Sequence, residues 1–394
     1  MTLPRVAFVY FDAGGGHRSA MNSLLAVIER QNRPWDVFTL NLQELLEEHD
    51  FVRRLTGLRM EDFYNRMIAG GWTLGTPQLL RVLQAAIRLL HNRAVEGLVA
   101  FWRGNPADVI VSVIPHFNRA LAISVKRALP GARFVTIITD LANYPPHFWM
   151  ERESDVLICG SDRAVQQARA LGHDKGRVYQ TSGMVINPKF YEVVDIDRGQ
   201  ERQRLGLDPE CPTGIVLFGG QGSDAMLEVA ARIEHYPYPL QMIYICGRNN
   251  KLKAKMAGLQ GRKRCYIEGF TTEIPYFMRL ADFFVGKPGP GSVSEALACG
   301  LPVIVVRNAW TLPQERYNAE WVQERQFGVV LRSFAGINDG IADLLSRYEA
   351  LKKSVATYHN RAVFEIPDIL QQVLGQAPAV PPSNATTASP IAAN

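Results

Sequence analysis

At 394 residues and 44.0 kDa the chain is too long for one compact core and is expected to fold as two domains. Hydrophobic residues are 47% and charged residues 21%, which excludes a disordered chain. A formal net charge of +5 speaks against a dedicated nucleic-acid binder and for anionic ligands or an anionic membrane surface. The five Cys (159, 211, 246, 265 and 299) show no CxxC spacing and read as free thiols in a reducing cytoplasm. No signal peptide is visible and no apolar run approaches the ~20 residues of a membrane span. Any membrane contact is therefore expected to be peripheral, on the cytoplasmic face.

Residues 5–11 form a continuous apolar run, the mark of a parallel strand covered on both faces. The run enters a turn with Gly14, Gly15, Gly16 and His17, then a helical stretch through Glu29. Strands fit 109–114, 134–139, 156–159 and 177–181, with helices at 118–128 and 163–171 between them. That alternation predicts a doubly wound α/β unit. The segment 187–208 is polar, carries no strong periodicity and is taken as the join. Its Asp195 and Asp197 spell a metal-type DxD, but away from a buried strand end, and are read as coincidence.

A second series of the same kind opens at strand 215–218, whose glycine turn holds Gly219, Gly220 and Gly222 and leads to a helix at 224–233. Strands at 241–246, 265–267, 283–285 and 301–306 follow, and 340–358 reads as one helix. The expected domains are 1–187 and 188–354, with a helix near 355–375 returning to the first. A disordered tail is expected at 376–394, which is rich in Pro, Ala, Ser and Thr.

The stretch 283–306 organises the rest. A strand ends at Val285, a Gly/Pro turn follows, and a short helix is expected from near Ser292 to Gly300. Strand, glycine turn and helix start together aim free N–H groups at one point, which favours an anion. Gly289 and Gly291 can take φ > 0 and let a ligand approach the main chain. Glu295 is placed to accept from a vicinal diol such as a ribose. Ser292 to Glu295 is equally a capping box, in which Glu295 only reaches back to the Ser292 N–H.

Several motifs occur in one order: Gly14 to His17, Ile138-Thr-Asp140, Ile245-Cys-Gly-Arg-Asn249, Glu268-Gly-Phe270, Lys287 to Glu295, and Pro313-Gln-Glu315. Together they closely resemble glycosyltransferase family 28 across roughly 5–330, nearest to its monogalactosyldiacylglycerol synthase and processive diacylglycerol glucosyltransferase members. The resemblance implies the GT-B fold, two Rossmann-like doubly wound domains facing across a cleft. It also implies a UDP-sugar donor, inversion at the anomeric carbon, and neither cofactor nor metal.

On that resemblance Lys287, Gly289, Gly291, Ser292 and Glu295 hold the ribose and diphosphate. Gly219, Gly220 and Gly222 bring a second helix start to the diphosphate. Gly247 and Arg248 lie beside the phosphate or uracil, Phe270 reads the uracil edge, and Gln314 and Glu315 hydrogen-bond the hexose. His17 is the first candidate for general base, with Asp140 orienting it or accepting the proton itself. Gly15, Gly16 and His116 line the acceptor pocket. Each of these positions also has a plain reading as a cap, a solvated loop or core.

Between Asp50 and Arg103 stand eight Arg against four acids, interleaved with Phe51, Phe63, Tyr64, Trp72, Phe101 and Trp102. This reads as an amphipathic surface suited to an anionic bilayer, or as a helical subdomain with a solvated rim. The expected activity is transfer of galactose or glucose from a UDP-sugar to a membrane lipid hydroxyl such as diacylglycerol. A UDP-N-acetylglucosamine 2-epimerase-like enzyme acting on a soluble ligand, and a non-catalytic nucleotide-sugar or lipid sensor, are the alternatives.

Overall fold

The structure, a computed structural model, describes residues 2–11, 16–48, 91–192, 194–259, 261 and 263–375. Two six-stranded sheets carry it, and every recorded strand pairing is parallel. The first runs, in spatial order, β2 (Asp36–Asn41), β1 (Arg5–Tyr10), β3 (Val109–Ser112), β4 (Arg133–Ile137), β5 (Val156–Cys159) and β6 (Val178–Gln180). The second runs β12 (Gly328–Leu331), β11 (Val303–Val306), β10 (Phe283–Gly286), β7 (Thr213–Leu217), β8 (Gln241–Ile245) and β9 (Cys265–Glu268).

Burial on both faces is why the inner strands are apolar throughout. Val6 and Phe8 of β1 pack with Met21, Leu24 and Ile28 of the Gly16–Arg30 helix, whereas Ala7 and Val9 pack with Leu98, Trp102 and Leu121 on the other face. The second sheet repeats the scheme, with Ile215 and Leu217 in one core and Val216 in the other. The Ala362–Gly375 helix lays Val363, Ile366, Leu370 and Val373 against the Gly16–Arg30 helix of the first unit. The crossing is pinned by Asn360 Nδ2 donating to the Met184 carbonyl at 2.8 Å.

Strand order reverses between β1 and β3 in the first sheet and between β7 and β10 in the second. At such a switch point adjacent connections leave for opposite faces, which opens a crevice at the carboxyl ends of the strands.

Several expectations need correction. β2 and β12, both edge strands of partial burial, were not anticipated: polar residues interrupt β2, and β12 is only the short run Gly-Val-Val-Leu. The helix expected at 340–358 is two, Ile337–Ser346 and Tyr348–Val355, broken at Arg347. The join is not featureless, because Arg198–Arg204 is a helix. Asp197 caps that helix, accepting from the Gln200 N–H at 3.0 Å, which accounts for one carboxylate of the DxD. Trp102, counted with the bilayer-facing aromatics, is fully buried and donates to Ser124 Oγ at 3.1 Å. The stretch 51–90, Gly15 and the tail 376–394 lie outside the described residues.

Candidate active site

The second switch point is built by turns after β7, β8, β10 and β11. The turns after β7 and β8 are pressed together: a Cβ on Gly222 (φ +68°) would stand 2.4 Å from the Cys246 carbonyl oxygen. A Cβ on Gly247 (φ +60°) would stand 2.4 Å from that of Gly220. Only glycine fits this conformation and this approach. The Arg248 N–H then donates to the Gly220 carbonyl at 2.8 Å, locking one turn to the other. Side chains added at Gly220 or Gly291 would meet nothing within 4 Å, so both face open space.

After β10 the helix spans Pro290–Ala298, two residues earlier than expected, with Gly289 as its N-cap at φ −68°. Neither Gly289 nor Gly291 has positive φ; in the described turns of this switch point that conformation belongs to Gly219, Gly222 and Gly247. The early start also removes the capping-box geometry, because Ser292 stands inside the first turn and its hydroxyl faces the Gly289 carbonyl at 3.5 Å. Glu295, one turn further on, is lifted to about 7 by burial, and no described residue hydrogen-bonds its carboxylate. Asn318 Nδ2 holds the Pro288 carbonyl at 2.7 Å and steadies the turn.

Lys287 Nζ pairs with Glu315 Oε1 at 3.1 Å. That partner, helped by Asp140, raises the ammonium above its ordinary value against the opposing cost of burial. Glu315 and Gln314 arrive on a short turn, Pro313–Glu315, and are both buried; Gln314 Oε1 has no hydrogen-bond partner among the described residues. At the outer end the Arg248 guanidinium lies 4.0 Å from the ring centroid of Phe270, which is 53% exposed. Phe270 is therefore a surface platform and not core packing.

The first switch point is apolar by comparison. His17, near the start of the Gly16–Arg30 helix, has Nδ1 3.2 Å from Thr139 Oγ1 and its ring edge-on to Trp149 at 5.6 Å. Desolvation lowers it to about 4, with the Val113 carbonyl pulling the other way, so the ring is neutral at pH 7. Asp140 does not bond His17; its Oδ2 accepts from Trp149 Nε1 at 2.8 Å. Burial raises Asp140 to about 7, opposed by the Trp149 hydrogen bond, raised further by Glu315 and offset by Lys287. His116, beyond β3, holds the left-handed φ of +70°, lies 4.4 Å from the Phe148 ring, and keeps a buried Nδ1 without a hydrogen-bond partner among the described residues. Burial, then the neighbouring His17, lower it to about 4. Gly16 has open space where a side chain would project.

Asp140 of the first unit feels the charges of Glu315 and Lys287 of the second, so a proton-holding group and a cation lie within electrostatic reach of each other. Phe270 and Arg248 form a separate platform. Thr139, Trp149 and Asn318 were not anticipated in these roles; Thr139 adjoins Asp140 in a noted motif, but its partner is 122 residues away. Among the described residues no group of His, Cys, Asp and Glu is arranged to hold a metal ion.

Residues 214–371 match the glycosyltransferase family 28 C-terminal domain. Monogalactosyldiacylglycerol synthase 1, chloroplastic, of Arabidopsis thaliana is 25% identical over 356 residues, 86% of this chain and 64% of that protein. The chain thus spans less than two thirds of that relative. Monogalactosyldiacylglycerol synthase 3 of the same plant is 26% identical over 401 residues, 95% of this chain and 83% of the relative. Among solved structures, MurG of Acinetobacter baumannii superposes with a TM-score of 0.60 at 14% identity, over 94% of this chain and 100% of that one. The expected GT-B architecture is therefore present, and residues 214–371 are a glycosyltransferase family 28 C-terminal domain.

Proposed function

We propose that the chain moves a hexose, galactose or glucose, from a UDP-sugar to the hydroxyl of a membrane lipid such as diacylglycerol, with inversion. The observation that carries this is Lys287, ion-paired with Glu315 at 3.1 Å beside a glycine-capped helix start, with Asp140 among aromatics near enough to feel both charges. An amide-lined, cationic crevice suits a diphosphate. In this reading Glu295 accepts from the ribose hydroxyls, Phe270 and Arg248 hold the uracil, and Gln314 and Glu315 position the hexose. The open faces of Gly220 and Gly291 leave the diphosphate close to the main chain.

In the transfer, the lipid oxygen forms a bond to the anomeric carbon on the side opposite UDP. The bond from that carbon to the β-phosphate oxygen breaks, and its electron pair leaves with UDP, where Lys287 meets the growing charge. The lipid hydroxyl proton passes to Asp140. A base works best near the working pH, and Asp140 at about 7 accepts a proton more strongly than His17 at about 4. His17, neutral and tied to Thr139, lines the approach of the acceptor with Gly16 and His116.

The lipid acceptor is supported by the named relatives and by the arginine-rich stretch 50–103, seen only from 91 onward. Among the described residues no helix is long and apolar enough to cross a membrane, so we read the association as peripheral, on the cytoplasmic face. The test offers UDP-galactose, UDP-glucose and UDP-N-acetylglucosamine with and without anionic liposomes containing diacylglycerol, with products read by mass spectrometry. A lipid-bound hexose is expected. Turnover indifferent to liposomes would replace this reading with an epimerase, and UDP-sugar binding without turnover would replace it with a sensor.

A further inference from the structure

We infer that Arg163 is a positioning residue for this reaction, a strap that carries the seating of the donor in the second half to the loop bearing Asp140 in the first. The inference rests on the transfer proposed above. The loop from Asp140 to Met150 is tied to the Asp162–Ala170 helix through Asn143 and Gln167. Asn143 Oδ1 accepts from the Trp149 N–H at 2.8 Å, the Asn143 N–H donates to Gln167 Oε1 at 2.8 Å, and Gln167 Nε2 returns a bond to the Asn143 carbonyl at 3.2 Å. Arg163 stands on that helix and donates to Tyr144 Oη at 2.7 Å, with its guanidinium carbon 5.9 Å from the Tyr144 ring centroid.

The same guanidinium lies 5.9 Å from the ring of Tyr317, which belongs to the second half and follows Glu315 by two residues. Elsewhere the Asp162–Ala170 and Arg316–Glu324 helices face each other across a cleft of about 300 Å³, whose lining includes Asp162, Arg163, Tyr317, Trp321, Arg325 and Glu324, the last hydrogen-bonded to Tyr317. Among the described residues Arg325 also crosses there to Asp162 at 2.8 Å, with side chains 54% and 60% exposed and thus screened by water and salt, and the Glu324 charge bears on Arg163. Leu141, next to Asp140, is buried with the core of the second half, and the few side-chain bridges across this polar-lined cleft are freer to change register than that packing. Each ring contact is weak at that reach, but a planar guanidinium set between two rings fixes direction as well as distance, which an ammonium does not. A pull on Gln314 and Glu315 from the donor reaches Tyr317 at once, then Arg163, Tyr144 and the loop that sets Asp140.

The test is hydrogen exchange on the full chain with and without saturating UDP, in wild type, R163A, Y317L and the double variant, together with kcat and KM for the UDP-hexose. In wild type UDP is expected to raise protection at 140–150 as well as at 286–295. Each single variant is expected to keep the rise at 286–295, and a UDP affinity within about twofold, while losing the rise at 140–150. Their kcat is expected to fall about 10- to 100-fold, since misplacement near 1 Å costs that much. The double variant falls no further, because both changes cut one connection. Should R163A not fold, Y317L reads the same connection from the other half. Retained protection at 140–150 in either variant, or multiplying losses in the double, would overturn the strap. Wild-type protein that shows the coupled protection yet glycosylates no lipid would overturn the acceptor reading and leave the strap in place.

Discussion

Both switch points lie where a parallel sheet reverses its strand order, yet they present opposite electrostatics. In the first half, burial among Phe148, Trp149 and β-strand ends leaves His17 and His116 neutral at pH 7 and holds a proton on Asp140 up to about pH 7. In the second half, Lys287 keeps its charge and Gly219, Gly220 and Gly222 bring main-chain groups to an open crevice. Both sheets reverse their strand order, and the side chains differ; on the proposed reading one crevice takes a hydroxyl and its proton and the other a diphosphate.

The contrast breaks most severely at Asp140. D140N is expected to lower kcat by about 10³ while UDP affinity stays unchanged, since a positioned base contributes about 10²–10⁴. In wild type kcat rises with pH through about 7 as the carboxyl ionises, and D140N removes that limb. The folded carboxyl binds its proton more tightly than the unfolded one, so it costs stability as pH rises through about 7. Melting at pH 8 should accordingly show D140N more stable by roughly 1–3 kcal/mol. Equal or lower stability there would contradict the buried-carboxyl account.

On the other wall, K287A is expected to cost about 10² in kcat/KM by removing a donor to the leaving group. K287A also leaves the buried Glu315 carboxylate unpaired, so a lower melting temperature accompanies the loss. E295Q is expected to weaken UDP binding about tenfold, the worth of a charge-assisted hydrogen bond. Because a ribose diol favours the ionised form of a carboxyl sitting near 7, wild type should release a proton on binding UDP at pH 7. Calorimetry in two buffers of different ionisation heat reads that release, and E295Q should abolish the part due to this group.

G222A sharpens the contrast through the backbone alone. Its strained φ and the Cys246 carbonyl at 2.4 Å predict a loss of about 1–3 kcal/mol by chemical denaturation, with UDP affinity lost alongside. The smallest effect is W149F. Removing the N–H that holds the Asp140 carboxylate down should move the pH limb of kcat upward, by less than about one unit. A downward move would mean that the bond favours the protonated acid.

The amino-acid sequence by itself determined the inner strands, because a strand covered on both faces must be apolar at every position, as Val6 to Val9 and Phe283 to Val285 are. It likewise determined the glycine turns, since Gly222 and Gly247 occupy places where a Cβ collides with a carbonyl. The edge strands β2 and β12 escaped it, β2 because polar residues interrupt its half-exposed run and β12 because its apolar run is only four residues long. The helix start at Pro290 escaped it too, because Gly289 caps the helix without the side-chain oxygen that would have announced it. Only the tertiary structure decided which groups share a site: Thr139 with His17, Trp149 with Asp140, Lys287 with Glu315. Their proton affinities follow from water excluded by elements far apart in the chain, and desolvation of that kind leaves no local signature in the order of residues.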